Sequence, residues 1–212
     1  MATPTKFADI PDIVIGRLPI YLRALTQMQS AGQQITSSHE LGQRLGISSA
    51  QIRKDLSHFG EFGKQGTGYQ ITHLIAQLKQ ILQVNHEWGM VIVGAGDLGR
   101  ALAHYRGFAA RGFRVVGVFD NDPTKLGTGN SEWQVMPIDS MAEFVRRHKI
   151  KIAMLAVPAE SAQAVCDTLI ESGVRAILNY APITLVVPSD AYVEYIDPVM
   201  HLQHMTYYLK PD

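Results

Sequence analysis

The chain has 212 residues, 46% of them hydrophobic, with 19 basic and 19 acidic side chains and one cysteine. That length has room for two small domains or one large one, and a single cysteine excludes an intramolecular disulfide and fits a reducing compartment. No uninterrupted apolar run of about 18 residues is present to cross a membrane, and Asp9, Pro11 and Asp12 stand where a signal peptide would carry a basic start and an apolar run. A soluble, cytoplasmic protein is expected. The formal neutrality hides an asymmetry: residues 1–84 hold eight Lys/Arg and five Asp/Glu (+3), residues 85–212 eleven and fourteen (−3). Such a split fits a basic module facing phosphate, joined to an acidic remainder.

The first predicted helix covers residues 18–30, with Leu18, Leu22 and Leu25 at helical spacing. The second opens at Ser37-Ser38-His39-Glu40, which has capping-box spacing, and stops at Gly46. The third begins at Ser48 or Ser49 and continues to Phe59. Helix, glycine turn and polar helix form the helix-turn-helix pattern. Ile52, Leu56 and Phe59 share one face of the third helix and would anchor it. Ser49, Gln51, Arg53, Lys54, Ser57 and His58 are left to face outward, where they suit base edges and phosphates. Residues 60–71 carry glycines at a hairpin tip with short extended flanks. A hairpin directly after a recognition helix is a wing, and Lys64, Gln65, Gly66 and Thr67 at its tip would lie along phosphate or in the minor groove. An amphipathic helix over 72–84 and the polar junction Asn85-His86-Glu87 complete a winged-helix DNA-binding domain over residues 1–85.

Met90 to Val93 then read as a buried strand running into Gly94-Ala95-Gly96-Asp97-Leu98-Gly99. Gly94 makes the tight turn, Gly96 lets the backbone approach a pyrophosphate, and Gly99 lets the next helix pack closely. The helix starting near Leu98 turns free N–H groups toward the phosphates. A second strand over 113–119 ends at Asp120, 21 residues after Gly99, the spacing of a carboxylate on the adenosine ribose. Asn121 and Asp122 follow instead of an arginine for a 2′-phosphate, which favours NAD(H) over NADP(H), although Lys125 lies close. The cofactor site is completed by Asn121, Lys125, Val157 and Pro158, the last two ending an apolar strand over 151–157.

The alternation continues with a strand over 133–138, helices over 140–148 and 159–172, and strands over 176–180 and 193–196. It predicts a doubly wound parallel sheet of Rossmann type over residues 86–196. Cys166 falls in an apolar helical segment and reads as a core thiol. Residues 198–209 form a last helix with Val199, Leu202, Met205, Thr206 and Leu209 along one side. Within the terminal segment 197–212, this helix is a candidate to lie against a partner subunit, or to fold back on its own. His201 and His204 have no third ligand nearby, so no metal is expected.

Over nearly its whole length the chain resembles the Rex family of redox-sensing transcriptional repressors. The resemblance rests on residues 49–57, the wing 63–69, the 94–99 turn and the run from Phe119 through Lys125 to Gly127. It implies a homodimer that binds double-stranded, inverted-repeat operator DNA, with NADH releasing the DNA and NAD⁺ permitting binding. It further implies a C-terminal helix exchanged between subunits and a switch in which Asp197 links to Arg17 in one state and to Tyr105, near the nicotinamide, in the other.

Two other classes compete. An NAD-dependent oxidoreductase would need catalytic groups, yet no Tyr-x-x-x-Lys pair and no substrate domain after the Rossmann unit are present. A nucleotide-gated protein-interaction module would have no use for the winged helix. A non-enzymatic repressor is the expectation.

Overall fold

The computed structural model describes residues 10–60, 62 and 68–209. It divides into two compact units, Met1–His86 and Glu87–Asp212.

In the first unit a short helix α1 (Asp12–Ile15) leads into α2 (Leu18–Ser30). Pro19 sits in the first turn of α2, where a missing N–H costs nothing. Leu18, Tyr21, Leu25 and Met28 turn one face of α2 inward and are wholly buried against Leu41, Ile52, Leu74 and Leu78. The strand β1 (Ile35–Thr36) precedes α3 (Ser38–Leu45) and α4 (Ser49–Ser57). Ser37 caps α3 by accepting from the Glu40 N–H at 3.1 Å. The Glu40 carboxylate accepts from Gln33 and Thr36, so only one half of the capping box forms. Gly46, at φ 68°, ends α3 in the left-handed region. The chain then turns back so tightly that a Cβ on Gly42 would meet the Ile47 carbonyl oxygen. Ser48 caps α4 through the Gln51 N–H at 3.2 Å.

The strand β2 (Tyr69–Gln70) leads into α5 (Ile71–Ile81). It pairs antiparallel with β1, Thr36 facing Tyr69. The sequence placed residues 69–71 in the flank of a hairpin and left 35–36 unassigned; two residues are too few for an alternation to signal a strand. The hairpin tip lies outside the described residues.

The second unit holds β3 (Trp88–Val93), α6 (Asp97–Ala103), β4 (Phe113–Asp120), β5 (Val135–Pro137), α7 (Met141–His148), β6 (Ile152–Leu155), α8 (Ala159–Glu171), β7 (Ala176–Asn179), β8 (Tyr192–Tyr195) and α9 (Pro198–Thr206). Six strands form one parallel sheet in the order β5-β4-β3-β6-β7-β8. Numbered from β3 that is 3-2-1-4-5-6, the doubly wound order, which reverses between β3 and β6. Val91 and Val93 turn to the face covered by α7 and α8 with Val145, Cys166 and Leu169. Met90 and Ile92 turn to the other face with Ala103, Val118 and Trp133. Burial on both faces explains why β3 reads as an unbroken apolar run rather than an alternation.

Candidate functional site

A cleft of about 620 Å³ opens at the carboxyl ends of β3, β4 and β6, at the point where the strand order reverses. Crevices at this place in doubly wound sheets take ligands, and the volume suits a dinucleotide fragment or drug-sized molecule. The three glycines divide the labour. Gly94 has φ +101°, and a Cβ there would meet the Ala156 carbonyl oxygen. A Cβ on Gly99 would meet the Gly94 carbonyl oxygen. Around Gly96 nothing lies within 4 Å of a hypothetical Cβ, so its bare backbone faces open space in the cleft.

Asp120 ends β4 and is 6% exposed. Its Oδ2 accepts the Ala95 N–H at 2.6 Å and its Oδ1 the Asp122 N–H at 2.8 Å. The Lys125 ammonium stands 3.1 Å from Oδ2. Burial alone would raise this carboxyl, but the two backbone N–H groups and Lys125 outweigh it and hold it below the ordinary carboxylate range. The result is a fixed anion at the cleft wall, where a sugar hydroxyl would take the place of the Lys125 ammonium, which reaches both oxygens at 3.3 and 3.1 Å.

Of the predicted cofactor residues, Gly94, Gly96, Leu98, Asp120, Asn121, Lys125, Val157 and Pro158 line this cleft. Ala95 is buried behind it and Gly99 beneath it, while Asp97 projects into solvent and pairs with Arg100 at 3.1 Å. Tyr105 lies elsewhere: its hydroxyl is 3.1 Å from Arg111 and its ring packs on Phe108, in a hollow shared with Trp133. Sequence reasoning missed Ile138, Val165 and Tyr180, which add apolar wall to the cleft. They come from three separate segments, and only the sheet order brings them together.

In the first unit α4 buries Ile52, Asp55 and Leu56. Arg53, Lys54, Ser57 and His58 are exposed, Ser49 and Gln51 half-buried. Arg53 donates to the Ser38 hydroxyl at 3.0 Å, and Ser57 to the Lys54 carbonyl at 2.7 Å. Lys64, Gln65, Gly66 and Thr67 lie outside the described residues. Asp55 was missed. A carboxylate three positions after Ile52, on the apolar stripe, was the available signal, because acidic groups are rarely fully buried unless paired. Its partner is Arg17, at 2.6 Å.

Residues 9–57 match the family described as a putative DNA-binding protein N-terminus, and residues 85–183 match the CoA binding domain family. The redox-sensing transcriptional repressor Rex of Roseiflexus sp. (strain RS-1) is 50% identical over 98% of this chain and 94% of its own length. The chain belongs to the Rex family. The Rex repressor of Carboxydothermus hydrogenoformans is 45% identical over 98% of this chain and its own full length, 100%. Among solved structures, the Rex-family repressor RSP in complex with β-NAD⁺ and operator DNA matches with a TM-score of 0.89. It is 37% identical, covering 94% of this chain and 92% of that one. RSP in complex with β-NADH matches at 0.87, with 34% identity over 95% and 94% of the two chains. The likeness spans both units, as expected of a redox-sensing repressor and not of an isolated Rossmann domain.

Proposed function

We propose that this Rex-family chain represses transcription as a homodimer on inverted-repeat operator DNA, in the cytoplasm, and that NADH in the Rossmann cleft releases it. The observation that carries this is the pairing, in one chain, of a cleft built around open Gly96 and fixed Asp120 with a helix α4 whose outward face is basic and polar. Asp120 and Asp122 against a single Lys125 leave the ribose end net negative. That charge favours NAD(H) over a dinucleotide bearing a 2′-phosphate.

The rest of the cleft wall is mostly apolar, with Ile138, Val157, Pro158, Val165 and Tyr180. Burying a cationic nicotinamide there without a partner is costly, whereas a neutral dihydronicotinamide carries no such penalty. A difference of ~2.8 kcal/mol gives about a hundredfold preference for the reduced form. If the NADH-bound dimer sets its two α4 helices at a spacing that misses successive major grooves, operator affinity falls, and linkage requires DNA to weaken NADH binding by the same factor.

Residues 197–212 belong to the dimer in this proposal. In α9, Val199, Leu202 and Met205 are all more than half exposed, an apolar face that a partner subunit would cover. Asp197, which caps α9 by accepting the Val199 N–H at 2.9 Å, is the switch carboxylate, with Arg17 and Tyr105 as its alternative partners. Arg17 holds Asp55 through Nε and Nη2, which leaves Nη1 for such a contact, and Tyr105 is 50% exposed. The base-reading and phosphate contacts are assigned to Ser49, Gln51, Arg53, Lys54, Ser57 and His58, with the wing residues Lys64 to Thr67 beside them. Among the described residues no helix is long and apolar enough to cross a membrane, and no three His, Cys, Asp or Glu side chains gather as for a metal ion.

The test is a fluorescence-anisotropy titration of the protein onto an inverted-repeat duplex, alone, with NADH and with NAD⁺. Binding abolished by NADH alone is the expected result. Equal affinity at saturating NADH and saturating NAD⁺ would remove the redox control.

A further inference from the structure

The inward face of α4 carries one charged side chain, and its hydrogen bonding is complete. Asp55 is 0% exposed. Its Oδ1 accepts from Arg17 Nη2 at 2.7 Å and from Gln51 Nε2 at 2.6 Å. Its Oδ2 accepts from Arg17 Nε at 2.6 Å and from the Tyr21 hydroxyl at 2.5 Å. An ionised carboxylate offers about four acceptor sites, so Asp55 has nothing left for a base or a phosphate. Burial pushes its carboxyl upward, but the donors Arg17, Tyr21 and Gln51 outweigh burial and keep it ionised.

The consequence falls on Gln51. A carboxylate can only accept, so a neighbouring carboxamide must turn its nitrogen toward it; the flipped amide would set oxygen against oxygen. Gln51 is therefore locked with Nε2 on Asp55 and Oε1 facing away. Among the described residues no hydrogen bond reaches that oxygen. Gln51 lies in the first turn of α4, three residues after its Ser48 cap, and N-terminal residues of a recognition helix are those that reach base edges.

We propose that Asp55 fixes Gln51 as an acceptor-reading residue, whose Oε1 takes a hydrogen bond from an exocyclic amine in the major groove, either adenine N6 or cytosine N4. The keto oxygens of guanine and thymine are not targets of Oε1, because they too only accept hydrogen bonds. Asp55 is a positioning residue here: it acts on base choice without touching DNA. The inference deepens the assignment of α4 as the reading helix and rests on it.

The test uses a duplex selected by the wild-type protein from a randomised pool. Its adenines are replaced singly by purine lacking the N6 amine, and its cytosines by 2-pyrimidinone lacking the N4 amine. Removing the amine that Oε1 reads from one half-site should weaken wild-type binding about tenfold, the scale of one specific base contact. The same removal should leave Gln51→Ala unchanged, and the base at which this happens tells adenine from cytosine. Equal losses for wild type and Gln51→Ala at every amine would overturn the proposal, as would coupling of Gln51 to a keto oxygen. For Asp55→Asn, whose amide tolerates either orientation of Gln51, the preference at that base pair should collapse while losses at the other positions persist. Tyr21→Phe, which removes one hydroxyl and keeps the Asp55–Gln51 bond, should retain the preference; its loss there would count against the mechanism even if Asp55→Asn fails to fold. If Gln51→Ala, Arg53→Ala and Lys54→Ala all bind as wild type, α4 is not the reading helix and the inference falls with that assignment.

Discussion

The Ala95 N–H donates to Asp120 Oδ2 at 2.6 Å, which makes the glycine-rich turn and the end of β4 one hydrogen-bonded unit. The carboxylate that would hold the ribose thus also shapes the turn that would hold the pyrophosphate. Ala95 is wholly buried, so losing this acceptor strands a backbone donor at a cost of ~1–3 kcal/mol. Asp120→Ala should weaken NADH binding about tenfold or more and lower the melting temperature. Asp120→Asn keeps an acceptor for Ala95 and should lose NADH affinity with a smaller thermal penalty. NADH fluorescence titration and calorimetry separate the two effects, and an unchanged NADH dissociation constant in both variants would place the ribose elsewhere.

Gly96 and Gly99 should respond to alanine in opposite ways. Around Gly96 there is open space, and its φ of −72° is ordinary for any residue. Gly96→Ala should leave the melting temperature unchanged and weaken NADH binding at least about tenfold, because the new methyl occupies the ligand's space. A Cβ at Gly99 would collide with the Gly94 carbonyl. Gly99→Ala should therefore destabilise the second unit by about 1–3 kcal/mol, the cost of overpacking. NADH binding by Gly96→Ala at wild-type strength would show that no phosphate passes over this glycine.

These glycines were legible in the sequence because each answers a local steric demand at fixed spacing. So was Asp120, which ends an apolar strand. The doubly wound parallel sheet followed from the alternation of strands and helices. Three things were not legible, for a common reason. Ile138, Val165 and Tyr180 enter the cleft from segments joined only by the sheet. Asp55 meets Arg17 across 38 residues, and no periodicity marks that pair. The pairing of Ile35–Thr36 with Tyr69–Gln70 is two residues long on each side. Local patterns specify local geometry, and these features are products of long-range packing.

Acid should loosen the fold through the buried aspartates Asp55 and Asp120. Asp55 and Asp120 are both held below the ordinary carboxylate range. A depressed folded-state value means that the unfolded chain binds protons first as pH falls, so stability drops. Their contribution is complete above the unfolded value, near pH ~4, and is lost as pH falls through the lower folded values. The stability difference between wild type and Asp120→Asn, measured by urea unfolding, should be constant near neutrality and shrink below about pH 4. A difference that grows in acid would reverse the assigned sign.

Cys166 should take no part in redox sensing. It is wholly buried in α8, and burial, helped by the nearby Asp167, pushes its thiol up to about 11. At neutral pH only on the order of one thiol in ten thousand is ionised, and the thiolate is the reactive form. Iodoacetamide should leave the native protein unmodified and label it once it is unfolded in urea. Cys166→Ala should keep the full response to NADH. Rapid labelling of the native protein would show an exposure that this packing does not allow.

In the proposed homodimer the subunit contact would turn a nucleotide signal into a change on DNA, and α9 is where that contact could be broken without harming either unit. None of the residues in α9 is buried, so polar changes there remove no core contact of the chain's own. Leu202 and Met205 are 58% and 61% exposed on the apolar face. Leu202→Asp with Met205→Asp should yield a monomer by light scattering. Operator affinity should fall about a hundredfold, the lower end of what is lost when two linked half-site contacts become independent. Helical content by circular dichroism should stay near wild type. A double variant that remains dimeric would place the subunit interface elsewhere. A monomer with undiminished operator affinity would mean that one reading helix suffices, and that NADH acts within a single chain.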